Sequence, residues 1–148
     1  TDLSRSSTRV QMSIAYLDGK NPAVITQTGI YENEIITAYD SKLNKLWDYK
    51  SFMETNGSGG HKVEVADVNK DGKDEIVYGT TCLNSDGTFR WSIYRQHPDI
   101  ISIHDYLPDR PGFEAGGYQT WTGLHSFSEV GTGEMVVEEC LKLLNELQ

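Results

Sequence analysis

A loop with oxygen-bearing side chains on alternate residues lies near the middle of the chain. Acidic or amide side chains fill its first, third, fifth and ninth places, and Gly72 fills the sixth. Glycine permits a sharp bend there, because it adopts positive φ without a steric penalty. Calcium prefers hard oxygen ligands and tolerates irregular geometry. The spacing therefore predicts a Ca²⁺ site whose ligands are Asp67, Asn69, Asp71, the backbone carbonyl of Lys73, and Glu75.

The residues on either side of this loop predict strands rather than helices. An EF-hand carries a glutamate at the twelfth place and a helix on each side, but the twelfth place here is Tyr78. Residues 63–66 and 75–78 are short, alternating and rich in β-branched side chains, which is typical of strands. An acidic surface turn between two strands is the alternative to a calcium loop.

Composition limits the class of protein. The chain has 148 residues and a formal net charge of -9, which argues against a nucleic-acid partner. No apolar stretch approaches the ~20 residues that a membrane-spanning helix needs. The chain begins with Thr1 rather than Met, as a processed or truncated N-terminus does. A calcium loop indicates that the protein is extracellular and secreted. Cys82 and Cys140 permit one disulfide but do not require it.

The chain repeats itself. Residues 38–47 align with residues 82–91, and each segment ends in tryptophan, at Trp47 and Trp91. Both segments predict a strand, a tight turn and a second strand. A third copy begins at residue 101. A period of about 40–50 residues with four short strands is typical of a β-propeller blade. We therefore predict an all-β fold with two to three four-stranded antiparallel blades, at about residues 9–50, 61–93 and 99–114.

The predicted blades do not complete a propeller. Residues 115–148 have no clear blade pattern, and residues 134–147 change to the helical spacing of an amphipathic α-helix. Two to three blades cannot close a ring, since propellers use about four to eight. Residues 1–114 therefore predict a partial propeller that is completed by other blades or by copies of itself.

Residues 60–79 carry a resemblance to a known family. A histidine, His61, precedes the calcium strand, and His97-Pro98-Asp99 and the proline-bounded residues 108–114 follow. These motifs resemble the rhamnogalacturonan lyases of polysaccharide lyase family eleven over about residues 9–114. The family's usual pattern differs at Pro98, where it has glycine. The resemblance implies a secreted, calcium-binding propeller that cleaves pectic polysaccharide by β-elimination.

The resemblance also implies further site residues. His61, His97 and Asp99 form a second metal site in this interpretation, although hydrogen bonding between blades is the alternative for both histidines. Independently of the resemblance, Trp121 lies outside the repeat and is a candidate sugar platform, and Arg110 is a candidate partner for a substrate carboxylate. The tryptophans of the repeat are expected to pack in the core. A non-catalytic module for carbohydrate binding, adhesion or self-assembly is the alternative to a lyase.

Overall fold

The computed structural model describes residues 10–29, 34–51, 60–92, 100–106, 109, 113–119 and 124–129, with side chains described up to residue 116. This part of the chain contains eleven strands and no helix of regular length. The strands are β1 (Val10–Ala15), β2 (Ala23–Thr28), β3 (Ile35–Tyr39), β4 (Lys45–Lys50), β5 (Val63–Ala66), β6 (Glu75–Tyr78), β7 (Thr81–Leu83), β8 (Phe89–Ser92), β9 (Ile100–His104), β10 (Glu114–Gln119) and β11 (Leu124–Glu129).

Consecutive strands pair into three antiparallel sheets. The first sheet has the order β1-β2-β3-β4, the second β5-β6-β7-β8 and the third β9-β10-β11. The first hairpin of each sheet closes at an equivalent pair, which is Ala15 with Ala23 in the first, Ala66 with Glu75 in the second and His104 with Glu114 in the third. The predicted all-β, antiparallel organisation is confirmed.

The second sheet lies between the other two. Strand β6 alternates its side chains between two apolar clusters, because successive residues of a strand point to opposite faces. Ile76 and Tyr78 pack with Ala15, Ile25 and other residues of the first sheet. Val77 packs with residues of the third sheet in a separate cluster that also holds Val68, Cys82, Ile101 and Ala115. Apolar burial therefore joins each sheet to the next.

The two tryptophans of the repeat contribute to these contacts. Trp47 packs against the cluster between the first and second sheets, and Trp91 against the cluster between the second and third. The Trp47 indole N–H donates to the Ser85 carbonyl at 3.2 Å. A Cβ at Gly87 would lie 2.5 Å from the Trp47 ring, so the indole rests directly on this turn. The expectation that these tryptophans pack in the core is confirmed.

Several sequence-based expectations concern residues near the C-terminus. The segment without a blade pattern contains most of β10 and all of β11. The helix expected at residues 134–147 lies outside the described residues. Cys82 is a buried free thiol whose pKa is raised by burial, whereas Cys140 is outside the described part. The three described sheets form no closed ring, and no helix within the described ranges is long and apolar enough to span a membrane.

Candidate metal centre

The acidic loop (residues 67–75) connects β5 to β6 and is held at its base by strand pairing. Ala66 and Glu75 face each other as the last pair of the hairpin. Within the loop the chain turns sharply, with φ of 61° at Lys70 and 86° at Gly72. The predicted role of Gly72 is confirmed, since this left-handed conformation favours glycine. The predicted strands on both sides are confirmed as β5 and β6.

Side-chain oxygens of the acidic loop accept hydrogen bonds from its own backbone. The Asp67 carboxylate accepts from Asp71 N at 3.0 Å and from Gly72 N at 2.8 Å. Asn69 Oδ1 accepts from Asp71 N at 2.9 Å, and Asp71 Oδ1 accepts from Lys73 N at 2.9 Å. These bonds curl the loop and hold the side chains of alternate residues on its inner side.

Glu75 is the buried acid of this loop. Its side chain is 1% exposed, and its Oε2 accepts from Val68 N at 3.1 Å. Burial raises the pKa of the Glu75 carboxyl, and the negative charges of Asp71 and Asp67 raise it further, against the Val68 hydrogen bond and the Arg90 charge. The Asn69 amide NH₂ donates to both Asp71 Oδ2 and Glu75 Oε1 at 3.3 Å. A polar hydrogen-bond donor thus lies between two carboxylates that repel each other.

The donor set of the acidic loop has the chemistry that calcium prefers. It combines carboxylate, amide and backbone carbonyl oxygens, and it offers no sulfur or imidazole ligand. Across the described residues, no group of three or more His, Cys, Asp or Glu side chains is arranged to hold a metal ion. A site here therefore needs the amide and carbonyl oxygens in addition to the carboxylates. The residues fit a hard cation by type.

The equivalent turns of the other two sheets keep only parts of this arrangement. In the first sheet Ala23 replaces the buried glutamate, and Asp18 accepts from Lys20 N and from both Asn21 nitrogens at 2.7–2.9 Å. In the third sheet Glu114 is 1% exposed and accepts from Tyr106 N at 2.9 Å, as Glu75 does from Val68. The first turn is thus structural, while the third retains the buried glutamate.

The acidic loop is docked against the first sheet. Tyr16 N donates to Asp74 Oδ2 at 2.7 Å, and Asp74 N donates to Tyr16 O at 3.2 Å. A Cβ at Gly19 would lie 2.5 Å from the Gly72 carbonyl oxygen. The backbones of the two turns are therefore in direct contact, and the conformation of the loop is coupled to the packing of two sheets.

The described residues do not test the other predicted sites. His61 is half-buried and lies two residues before the start of β5. Its predicted partners His97 and Asp99, together with Arg110 and Trp121, lie outside the described residues. The second metal site and the sugar contacts therefore remain predictions.

The end of the first sheet nearest His61 contains a polar cluster that sequence reasoning missed. Gln27 and Glu34 are 1% and 0% exposed. Gln27 Nε2 donates to Glu34 Oε1 at 2.9 Å and to the Gly60 carbonyl. Burial raises the pKa of Glu34 to about 9, against the opposing hydrogen bonds of Gln27 and Gly60. In the sequence, Glu34 follows Tyr31-Glu32-Asn33, a polar run that gives no sign of burial.

Comparison with known proteins decides the family. A family model described as the C-terminal domain of rhamnogalacturonan lyase family 11 matches residues 4–141. The chain belongs to rhamnogalacturonan lyase family 11. Within this family it is 40% identical to the rhamnogalacturonan endolyase YesW of Bacillus subtilis (strain 168), covering 72% of this chain and 18% of that protein. It is 33% identical to the rhamnogalacturonan exolyase YesX of the same organism, covering 80% of this chain and 24% of that protein.

Solved structures of the family have the same fold over this region. The crystal structure of the exotype rhamnogalacturonan lyase YesX aligns with 90% of this chain at a TM-score of 0.79 and 34% identity. The Bacillus licheniformis rhamnogalacturonan lyase PL11 aligns with 89% at the same TM-score and identity. The chain covers 24% of each of those chains. This family 11 chain thus spans less than a quarter of its relatives.

Proposed function

We propose that this family 11 chain is a calcium-stabilised part of a β-propeller in a secreted lyase that cleaves pectic rhamnogalacturonan. The observation that carries the calcium proposal is Glu75, a 1% exposed carboxyl beside two further loop carboxylates. Buried charge is costly unless it is paired. A bound calcium ion would supply positive charge to Asp67, Asp71 and Glu75, with Asn69 and the Lys73 carbonyl as neutral oxygen ligands.

The exposed face of the first sheet supports the propeller arrangement. Val10, Met12 and Ile14 of β1 are 62%, 72% and 55% exposed. Ile14 pairs with Val24 in the first sheet, and Val65 pairs with Ile76 at the equivalent position of the second sheet. The face of the second sheet that carries Val65 and Ile76 packs against the first sheet. A repeat buries the same face in each copy. A preceding sheet would therefore cover this face, as the blades of a propeller do.

Catalysis belongs to the longer protein in this proposal. The chain's relatives are named rhamnogalacturonan lyases, and it spans 18% and 24% of two of them. The acidic loop would have a structural role, because its carboxylates accept hydrogen bonds from its own backbone and from the first sheet. The calcium proposed at this loop would hold β5 and β6 together and stabilise the contact with Tyr16.

Calcium-dependent stability tests the loop. Removal of calcium with a chelator should lower the melting temperature of the chain, because a ligand that binds only the folded state stabilises it. Asp71→Ala should diminish this response in thermal melts followed by circular dichroism. Asp86→Ala is the matched control, since Asp86 forms a comparable exposed turn with Thr88 at 2.6–3.0 Å. An undiminished chelator response in Asp71→Ala would show that calcium does not bind at this loop.

An absorbance assay for unsaturated uronate products separates the enzyme from its alternative. The lyase proposal expects product from rhamnogalacturonan when the chain is part of the longer protein. The alternative is a non-catalytic module that binds pectic polysaccharide or other copies of the chain. Two observations favour this non-catalytic alternative: the chain matches a C-terminal domain, and it covers only 18% of the endolyase YesW. Retained polysaccharide binding with no product from the longer protein would support the alternative.

A further inference from the structure

A buried glutamate lies at the end of the first sheet that is opposite the acidic loop. Glu34 immediately precedes β3 and is 0% exposed, and Gln27 of β2 is 1% exposed beside it. The backbone of Glu34 exchanges two hydrogen bonds with Ser51, which follows β4, at 3.0 and 2.9 Å. The Gly60 carbonyl accepts a hydrogen bond from Gln27. These contacts join the start of β3 to the residues that follow the first sheet and precede the second.

The Gly60 carbonyl fixes the orientation of the Gln27 amide. A carbonyl oxygen only accepts hydrogen bonds, so the amide atom that contacts it is Nε2, which also donates to Glu34 Oε1 at 2.9 Å. The amide nitrogen thus uses both of its hydrogens. Within the described residues, Gln27 Oε1 and Glu34 Oε2 have no hydrogen-bond partner. Buried oxygens in this state are rare and require an explanation.

No positive charge within the described residues compensates an ionised Glu34. The titratable groups on the neighbouring elements at this end of the sheet are Tyr49, Lys50, His61 and Lys62. None of them contributes to the pKa of Glu34, which burial raises to about 9 against two opposing hydrogen bonds. On the other side of Gln27, β1 places the uncharged Gln11 opposite it. A buried carboxyl without a cation favours its protonated form.

We propose that Glu34 carries a proton in the folded chain, and that this proton joins Glu34 Oε2 to Gln27 Oε1. A carboxylic acid and a primary amide pair through two hydrogen bonds, and the N–H···O bond from Gln27 is one of them. The proton supplies the donor for the second bond, so both remaining oxygens gain a partner. This acid–amide pair (Glu34 and Gln27) holds the start of β3 next to Gly60.

Alkaline pH destabilises the acid–amide pair. Loss of the proton leaves a buried negative charge and two buried oxygens without partners, and both are costly. The pKa of Glu34 is raised from 4.5 to about 9 in the folded chain. The stability that the proton contributes is therefore fully present below 4.5 and is lost as pH rises through about 9. The junction between the first sheet and Gly60 thus weakens as pH rises.

The pH dependence of unfolding tests this pair. Chemical denaturation of the unmodified chain and of Glu34→Gln is compared between about pH 5 and pH 9. One fixed calcium concentration makes any contribution of the acidic loop common to both chains. The unfolding equilibrium constant of the unmodified chain should rise relative to that of Glu34→Gln by up to about tenfold per pH unit, since unfolding releases one proton. Glutamine keeps the shape of the side chain and supplies permanent donor hydrogens, so Glu34→Gln should be the more stable chain at about pH 8.

Glu64→Gln is the matched control for this comparison. Glu64 is a partly exposed carboxylate that pairs with Lys62, so its replacement should keep the pH dependence of the unmodified chain. A second measurement needs no variant and stays decisive if Glu34→Gln does not fold. NMR follows the side-chain carboxyl carbon of Glu34, which should keep its proton at neutral pH and lose it near pH 9. A Glu34 carboxyl that is ionised at neutral pH, or equal pH dependence in the unmodified chain and Glu34→Gln, would overturn the acid–amide pair.

Discussion

At the scale of single residues, Asp18 illustrates how a turn depends on ionisation. Hydrogen bonds from Asn21 and Lys20 lower the pKa of Asp18 from 3.8 to about 2. A lowered pKa contributes stability that is present above 3.8 and is lost as pH falls through 2. Asp18→Asn should therefore melt below the unmodified chain at about pH 6, and the gap should close between about pH 4 and pH 2. A gap of constant size across this range would contradict the assignment.

Residue identity predicts some of these groups and misses others for a physical reason. The alternate spacing and Gly72 were sufficient to predict the acidic loop, because its hydrogen bonds connect residues within nine places. The burial of Gln27 and Glu34 was not predictable, because it depends on Gly60 and Ser51, which are distant in sequence. The same holds for the contact of Tyr16 with Asp74 across 58 residues.

At the scale of elements, the contact between the first turn and the acidic loop requires glycine at position 19. Gly19 has φ of 75°, and a Cβ there would lie 2.5 Å from the Gly72 carbonyl oxygen. Gly19→Ala should cost roughly 1–3 kcal/mol of unfolding free energy, because it combines backbone strain with a clash. It should also weaken the calcium binding that we propose for the acidic loop, since Gly72 must move. Chemical denaturation and calcium titration measure the two effects.

Lys20→Ala in the same exposed turn is the control for this change. It removes a side chain that faces solvent and keeps the backbone hydrogen bond from Lys20 N to Asp18, so its stability should stay within about 0.5 kcal/mol of the original. If Gly19→Ala behaved like Lys20→Ala in both measurements, the turn contact would have no energetic role.

Strand prediction succeeded where the side chains were distinctive. Residues 63–66 alternate valine with other residues, residues 75–78 form a short apolar run after Glu75, and they form β5 and β6 as expected. β10 was not predicted because Gly116 and Gly117 interrupt any alternation. Its strand conformation is fixed instead by pairing on both sides, with β9 and β11. Local pattern thus predicts strands with distinctive side chains, and tertiary pairing determines the others.

At the scale of the whole molecule, the sheets are held together by one apolar interface per neighbouring pair. The first interface buries large side chains from both sheets, including Ile25, Ile36, Ile76 and Tyr78. The outer face of β1 presents the same kind of side chain to solvent. Contiguous exposed apolar residues mark interaction surfaces. Among the strands that the structure describes, β1 is also the edge of its sheet.

This exposed face should make the isolated chain self-associate. Sedimentation velocity should show larger species as concentration rises, and the double change Met12→Lys and Ile14→Lys should shift the chain towards the monomer, because charge on an edge strand opposes pairing. Its melting temperature should stay nearly constant, since both side chains are more than half exposed. Leu43→Lys is the control, because Leu43 is 71% exposed in the turn between β3 and β4. A chain that is monomeric at every concentration would show that this surface does not drive assembly, and the proposed contact with a preceding sheet would lose its main support.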